Sequence, residues 1–187
     1  HRFTPDTSVL QELGVSTEEK YVILRFVSWN ASHDIGHKGI SYENKLKAIV
    51  TQNIDGFHTE AGSKNVFELH GSVHRNYCMN CNKFYDGEFI FNSKGIPKCS
   101  CGGIIKPDVI LYEENLDSET LGESIKRISK CDTLIIAGTS LTVYPASGLV
   151  NYFNGKNLIL INNDSTTFDN NCNLVINEDL KKVFEEL

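Results

Sequence analysis

Short apolar runs separated by single helical stripes dominate the C-terminal half of the chain. "DTLIIAG" (132–138), "NLILIN" (157–162) and "NLVI" (173–176) are too short for helices and too continuously apolar for strands with one wet face. Asp117 or Ser118 is placed to cap a helix running to Lys130, with Leu121, Ile125 and Ile128 as its apolar stripe. A further helix is expected after Pro145, and Asn177 is expected to cap a closing helix over "EDLKKVFEEL". Strands that alternate with helices in this way predict an α/β fold: a Rossmann-like parallel sheet with helices on both faces. Upstream, "YVILRFVSW" (21–29) has the composition of a strand, but nothing around it settles its place.

At 187 residues the chain is one domain, or one domain with a small insert. A formal charge of −6 argues against direct nucleic-acid binding, which needs clustered Lys and Arg. No apolar run approaches the roughly 18 residues needed to cross a bilayer, so no membrane association is expected. No signal peptide is expected, and because the first residue is His1 the native start is expected to lie upstream. Six cysteines in a chain of this length are too few for a disulfide scaffold, and four of them are paired at metal spacing. A reducing, cytoplasmic compartment follows.

Residues 74–108 break the strand–helix rhythm and are richer in Cys, Gly, Asn and Lys. They are expected to form a small zinc-ribbon module inserted into a discontinuous Rossmann-like domain made of 1–73 and 109–187. Cys78 and Cys81 form one pair, Cys99 and Cys101 the other, with 17 residues between the pairs. Four thiolates in two close pairs can surround a tetrahedral zinc, and Gly102 and Gly103 suit the tight backbone of such a knuckle. With four protein ligands the metal has no open position, so its expected work is structural. Cys131 and Cys172 flank apolar strands and read as small buried hydrophobes.

The apolar runs end in polar or glycine residues: "TQNIDG" after Val50, "ELHG" ending at Gly71, "AGTSLTVYP", and "LINND". Ligands bind at the carboxyl ends of strands in open parallel sheets. Taken singly, Gly138-Thr139-Ser140 is as readily a turn, Asn162-Asn163-Asp164 as readily a strand cap, and His70 as readily a core histidine.

Together, "TQNIDGFHTEAG", "ELHGS", the four-cysteine module, "GTSLTVYPASGL" and "LILINND" resemble the sirtuins, NAD-dependent protein lysine deacylases, of bacterial type. The resemblance runs from about Lys45 to the C-terminus. It implies that Gln52, Asn53, Ile54 and Asp55 line the nicotinamide and ribose end of an NAD pocket. Asn53 and Asp55 would hold a carboxamide through complementary donors and acceptors, and His70 would be the general base. It implies that Gly138, Thr139 and Ser140 meet the phosphates and the adenine-side ribose. Asn162, Asn163 and Asp164 would contact the adenosine moiety, and Leu180 the adenine through its backbone. Val109, Ile110 and Leu111 on one side, and Leu141 to Val143 on the other, resemble the edges that clamp an acylated-lysine protein or peptide as an added strand.

The implied reaction consumes NAD as co-substrate. The acyl oxygen of the modified lysine attacks the nicotinamide ribose carbon, nicotinamide leaves, and His70 helps deprotonate a ribose hydroxyl. Free lysine and O-acyl-ADP-ribose are the products, with deacetylation as the default. Two other readings differ in outcome: protein ADP-ribosyl transfer, and a non-catalytic NAD or ADP-ribose module.

The pattern departs from the family in two places. Where the family has Gly-Ala-Gly-x-Ser and then an Asp-Phe-Arg segment, this chain has only "LGVSTE" (13–18), which makes Gly14, Val15 and Ser16 weak cofactor candidates. "NASH" (30–33) follows Glu18 after only 11 residues. Either a stretch of the natural chain is not represented between them, or the protein is shortened. The first is preferred, because a sheet without its first strand would expose a core edge. The second departure is "LYEENL", where Glu113 stands in place of a family glycine.

Overall fold

The computed structural model describes residues 21–25, 46–144 and 146–185. The "LGVSTE" and "NASH" stretches, with Gly14, Val15 and Ser16, lie outside the described residues. The core is a six-stranded sheet of β1 (Tyr21–Arg25), β2 (Leu46–Thr51), β3 (Val66–Glu68), β7 (Thr133–Ala137), β8 (Asn157–Ile161) and β9 (Leu174–Ile176). Their order is β3-β2-β1-β7-β8-β9, and every pair is parallel. The stretch beginning at Tyr21, whose place the sequence left open, therefore has a definite position: Tyr21–Arg25 is a central strand between β2 and β7.

The double burial of a parallel sheet explains why these runs are apolar without alternation. All five residues of β7 are buried. Leu134, Ile136, Leu158 and Leu160 face one core, shared with Ala48, Val50, Ile128 and Leu149. Ile135, Ile159 and Ile161 face the other, shared with Ile49 and packed by Leu180, Val183 and Phe184. Successive side chains point to opposite faces, so each strand feeds two cores at once.

Four helices are described: α1 (Phe57–Glu60), α2 (Gly87–Phe91), α3 (Ser118–Ile128) and α4 (Leu180–Glu185). Asp117 caps α3, its Oδ2 accepting from the Thr120 amide at 2.7 Å, as the sequence predicts. Two expectations change. Residues Ala146–Tyr152 form a 3₁₀ segment rather than an α-helix; Gly148 and β-branched Val150 favour helix weakly, and buried Ala146, Leu149 and Val150 hold the short turns in place. The closing helix starts at Leu180, and Asp179 rather than Asn177 caps it, accepting from the Lys181 amide at 2.8 Å.

A second, antiparallel sheet of β4 (Gly71–Cys78), β5 (Phe84–Asp86) and β6 (Ile105–Val109) has β4 at its centre. The β4–β6 pairing shifts between Ser72 and Asn76, a bulge that leaves Val73, His74 and Arg75 out of that ladder. Buried Asn76 stitches it, its Nδ2 donating to the Val73 carbonyl at 3.1 Å.

Gly71 joins the sheets. It has φ 76°, and a Cβ there would lie 1.8 Å from the Asp108 carbonyl oxygen. Gly71→Ala should therefore destabilise the fold by about 3 kcal/mol or more, from left-handed backbone strain plus a backbone collision. Thermal unfolding of the variant measures it, and an unchanged midpoint would contradict this packing.

Candidate active site and metal centre

Registry brings the polar strand ends to one rim. Glu68 pairs with Thr51, Thr51 with Arg25, Arg25 with Ala137, Ala137 with Ile161, and Ile161 with Ile176. The residues that follow therefore leave the sheet at one level: Leu69 and His70, Gln52 to Asp55, Gly138 to Ser140, and Asn162 to Asp164. From β3 to β8 this rim spans about 19 Å at the usual strand spacing. The chain reverses its direction of sheet growth between β1 and β7, which makes this the switch-point edge.

His70 sits in the turn between β3 and β4, with the backbone pinned on either side of its Cα. The Leu69 amide donates to the Thr51 carbonyl at 2.8 Å, and the Ile110 amide donates to the His70 carbonyl at 3.0 Å. Burial lowers the His70 pKa, partly offset by the bond its ring donates to the Gln52 carbonyl. The imidazole is thus biased toward its neutral, proton-accepting form. Beside it, Gln52 Nε2 is buried and has no hydrogen-bond partner. An unsatisfied buried donor of this kind is costly in a closed protein and is a natural contact for an incoming acceptor.

The neighbouring loop is internally braced. The Asn53 amide donates to Thr51 Oγ1 at 3.0 Å, Asn53 Nδ2 donates to Asp55 Oδ2 at 3.4 Å, and Asp55 Oδ1 accepts from the Phe57 amide at 3.1 Å. At the other strand ends, Gly138 has φ 62° and donates its amide to the Ile161 carbonyl at 2.9 Å. Thr139 is buried and accepts from the Leu141 amide at 3.0 Å, while Ser140 Oγ lies 2.7 Å from Thr142 Oγ1. Asn162 Nδ2 donates to the Asp164 carbonyl at 2.8 Å, and Asn163 and Asp164 are exposed. Leu180 packs its side chain against the second core.

Of the edge residues, Val109 pairs with Gly71 at the end of β6. Leu111 and Val143 are exposed, while Leu141, at φ 53°, packs against the first core. The Leu111 amide donates to Glu114 Oε2 at 2.8 Å. Glu113 adopts φ 70°, the backbone region that glycine favours, at the position where the sequence departs from the family glycine. A cleft of about 420 Å³ opens on the outer side of β3. Sequence reasoning missed the group that spans it: Arg75 Nε bonds Asp108 at 2.9 Å, and its Nη1 bonds Glu68 at 2.6 Å. Their separation along the chain hid them.

The cysteines converge. Sγ atoms of Cys78, Cys81, Cys99 and Cys101 all lie within 4.8 Å of one another. The Cys78–Cys101, Cys81–Cys99 and Cys81–Cys101 contacts are 3.5, 3.6 and 3.5 Å. Four sulfurs around a zinc at the usual bond length stand about 3.8 Å apart. The Asn80 amide points at Cys78 Sγ at 3.4 Å, the usual support of a thiolate knuckle. Gly103 makes room for it, since a Cβ there would meet Cys78 Sγ at 2.7 Å. The Cys101 amide and the Tyr85 hydroxyl pull Cys99 down to about 5. The Gly103 amide also lowers Cys101, but the facing sulfurs outweigh it and push that thiol up to about 12. Sulfurs crowded in this way call for a cation between them. Cys131 is buried and Cys172 packs against the first core, the structural roles expected of them.

A family model described as "Sir2 family" matches residues 10–145. The chain belongs to the Sir2 family. It is 67% identical over 141 residues to an NAD-dependent protein deacetylase of Clostridium perfringens, covering 74% of this chain and 58% of that protein. A protein of the same name from Clostridium acetobutylicum is 59% identical over 158 residues, covering 83% of this chain and 64% of that protein. The chain thus spans less than two thirds of the length of these curated relatives. Among solved structures, "Sir2-p53 peptide-NAD+" superposes with a TM-score of 0.78 at 26% identity, covering 97% of this chain and 98% of that one. "Sir2 bound to acetylated peptide" gives 0.79 at 27% identity, with the same coverage.

For this Sir2-family chain the four cysteines fit a structural zinc, and no chemical step is assigned to it. Elemental analysis should give about one zinc per chain, and a strong chelator should unfold the three-stranded sheet. Gly103→Ala should weaken zinc affinity at least about tenfold. A metal-free chain that keeps its fold would contradict the assignment.

Proposed function

We propose that this chain carries the NAD-dependent protein lysine deacylase activity named for its relatives, with deacetylation as the default reaction. The observation that carries the reading is His70: a half-buried, neutral-biased imidazole beside the unsatisfied Gln52 donor, on the rim that holds Asn53, Asp55 and Gly138. A nucleotide-binding module has no use for a base at that place.

NAD supplies an activated ribose carbon from which nicotinamide can leave. Asn53 and Asp55 would hold the nicotinamide end, with Gln52 Nε2 donating to it or to its ribose. The Gly138 backbone and the Thr139 and Ser140 hydroxyls would meet the phosphates, and Asn162, Asn163, Asp164 and the Leu180 backbone the adenosine. His70, neutral at physiological pH, would accept the proton of a ribose hydroxyl. An acylated-lysine peptide would lie as an added strand between Val109, Ile110 and Leu111 on one side and Leu141 and Val143 on the other. Residues 1–73 with 109–187 serve as the dinucleotide domain and 74–108 as the zinc module that props the base's turn. The cytoplasm is the compartment that suits four metal-ready thiols; no helix among the described residues is long and apolar enough to cross a membrane.

Incubation with NAD and an acetyl-lysine peptide should release nicotinamide only when peptide is present, with loss of the acetyl group. His70→Ala should lower the rate by about a hundredfold or more. Since the active form is the deprotonated imidazole, activity should fall on the acid side with a midpoint below the ordinary histidine value of about 6.5. ADP-ribose appearing on protein, or NAD binding without turnover, would overturn the deacylase reading.

A further inference from the structure

The β4 bulge has a product beyond sheet irregularity. It lifts Val73 and His74 out of the pairing with β6 and presents both to the loop that follows β2. The Val73 amide donates to the Ile54 carbonyl at 3.0 Å. The next residue's imidazole reaches the next carbonyl, His74 Nε2 lying 2.8 Å from the Asp55 oxygen. A carbonyl only accepts, so Nε2 carries the proton. The ring is also fitted by shape: a Cβ on Gly56 would lie 2.7 Å from His74 Cδ2, and one on Gly87 would lie 3.4 Å from Nδ1. Two glycines from different elements, one capping α1 and one opening α2, thus flank one imidazole. Glycine at position 56 also supplies the left-handed φ of 76° that turns the chain into α1.

We propose that His74 is a positioning residue for the NAD site: its Nε2–H holds the Asp55 carbonyl and so fixes the Asn53 and Asp55 side chains that face the nicotinamide. The inference rests on the reading of that loop as the nicotinamide pocket. The geometry leaves Asn53 and Asp55 braced mainly to each other and to Thr51 and Phe57, all within the same short stretch of chain. Beyond the His70 ring's bond to the Gln52 carbonyl at the start of the loop, the two bonds from β4 tie Ile54 and Asp55 themselves to another element. Because β4 starts beside His70 and ends at Cys78, it spaces the base, the loop anchor and the metal ligand along one backbone. His74 does not touch the reacting atoms. Its effect is on placement.

The test uses His74→Phe, which keeps a flat ring between the two glycines without the donor, and His74→Gln, which restores a donor at a similar reach. Phe should raise the KM for NAD and the nicotinamide inhibition constant about five- to tenfold, the worth of one ordinary hydrogen bond. The KM for peptide and the unfolding midpoint should stay near native. Gln should return both constants to within about threefold of native, as expected when the donor alone was lost. Ligand-free NMR gives a readout independent of turnover: the Asp55 carbonyl carbon shift should move in Phe and return in Gln. Unchanged NAD constants in Phe, or a matched loss in NAD, peptide and stability that Gln does not rescue, would overturn the proposal. A native chain inert toward NAD would overturn the functional reading itself; the carbonyl shift would still decide whether His74 holds the loop.

Discussion

Six parallel strands ending in register impose the arrangement on which every other feature of this chain depends. Parallel strands buried on both faces send their carboxyl ends to one edge, and the helices that cover the faces return the chain to the opposite edge. The consequence is that residues far apart in sequence, His70 and Asn162 among them, leave the sheet at one level. No single contact between them is needed. The hydrophobic alternation that stacks Leu134, Ile136 and Leu160 against α3, and Ile135 and Ile159 against α4, fixes the rim as a by-product of filling two cores.

The smaller sheet adds what the larger one lacks, a rigid wall for the turn that carries His70. Its own core is slight, being Cys78, Cys99 and Ile105 with Tyr85 and Ile90 against them. A core of that size cannot hold three strands in place unaided, which is the physical reason for four converging thiolates. Their influence reaches the rim through β4, whose one end is a metal ligand and whose other end is Gly71. The Arg75 contacts to Glu68 and Asp108 tie the same strand across both sheets, though partial exposure limits their worth.

The parallel strands were legible because double burial writes continuous apolar runs, and their polar termini marked the rim. The cysteine spacing announced its cluster directly. Three things were not legible. Ala146–Tyr152 has apolar residues at helical spacing, but tertiary contacts hold tighter turns than propensity predicts. Tyr21–Arg25 read as a strand without a position, since pairing partners are set by the whole sheet. The β4 bulge left no mark, because Val73, His74 and Arg75 carry no turn residue and no break in hydropathy; the buried Asn76 that stitches it shows its role only in the fold. Glu113 was flagged by its departure from a glycine, and its positive φ is the physical content of that flag.

A crystal structure of the chain grown with NAD tests the central claim most directly. The account places the dinucleotide along the rim from the β3 end to the β8 end, with a ring nitrogen of His70 about 3 Å from a ribose hydroxyl. Density for NAD away from that edge, or an imidazole turned into packed interior with no sugar beside it, would contradict the account.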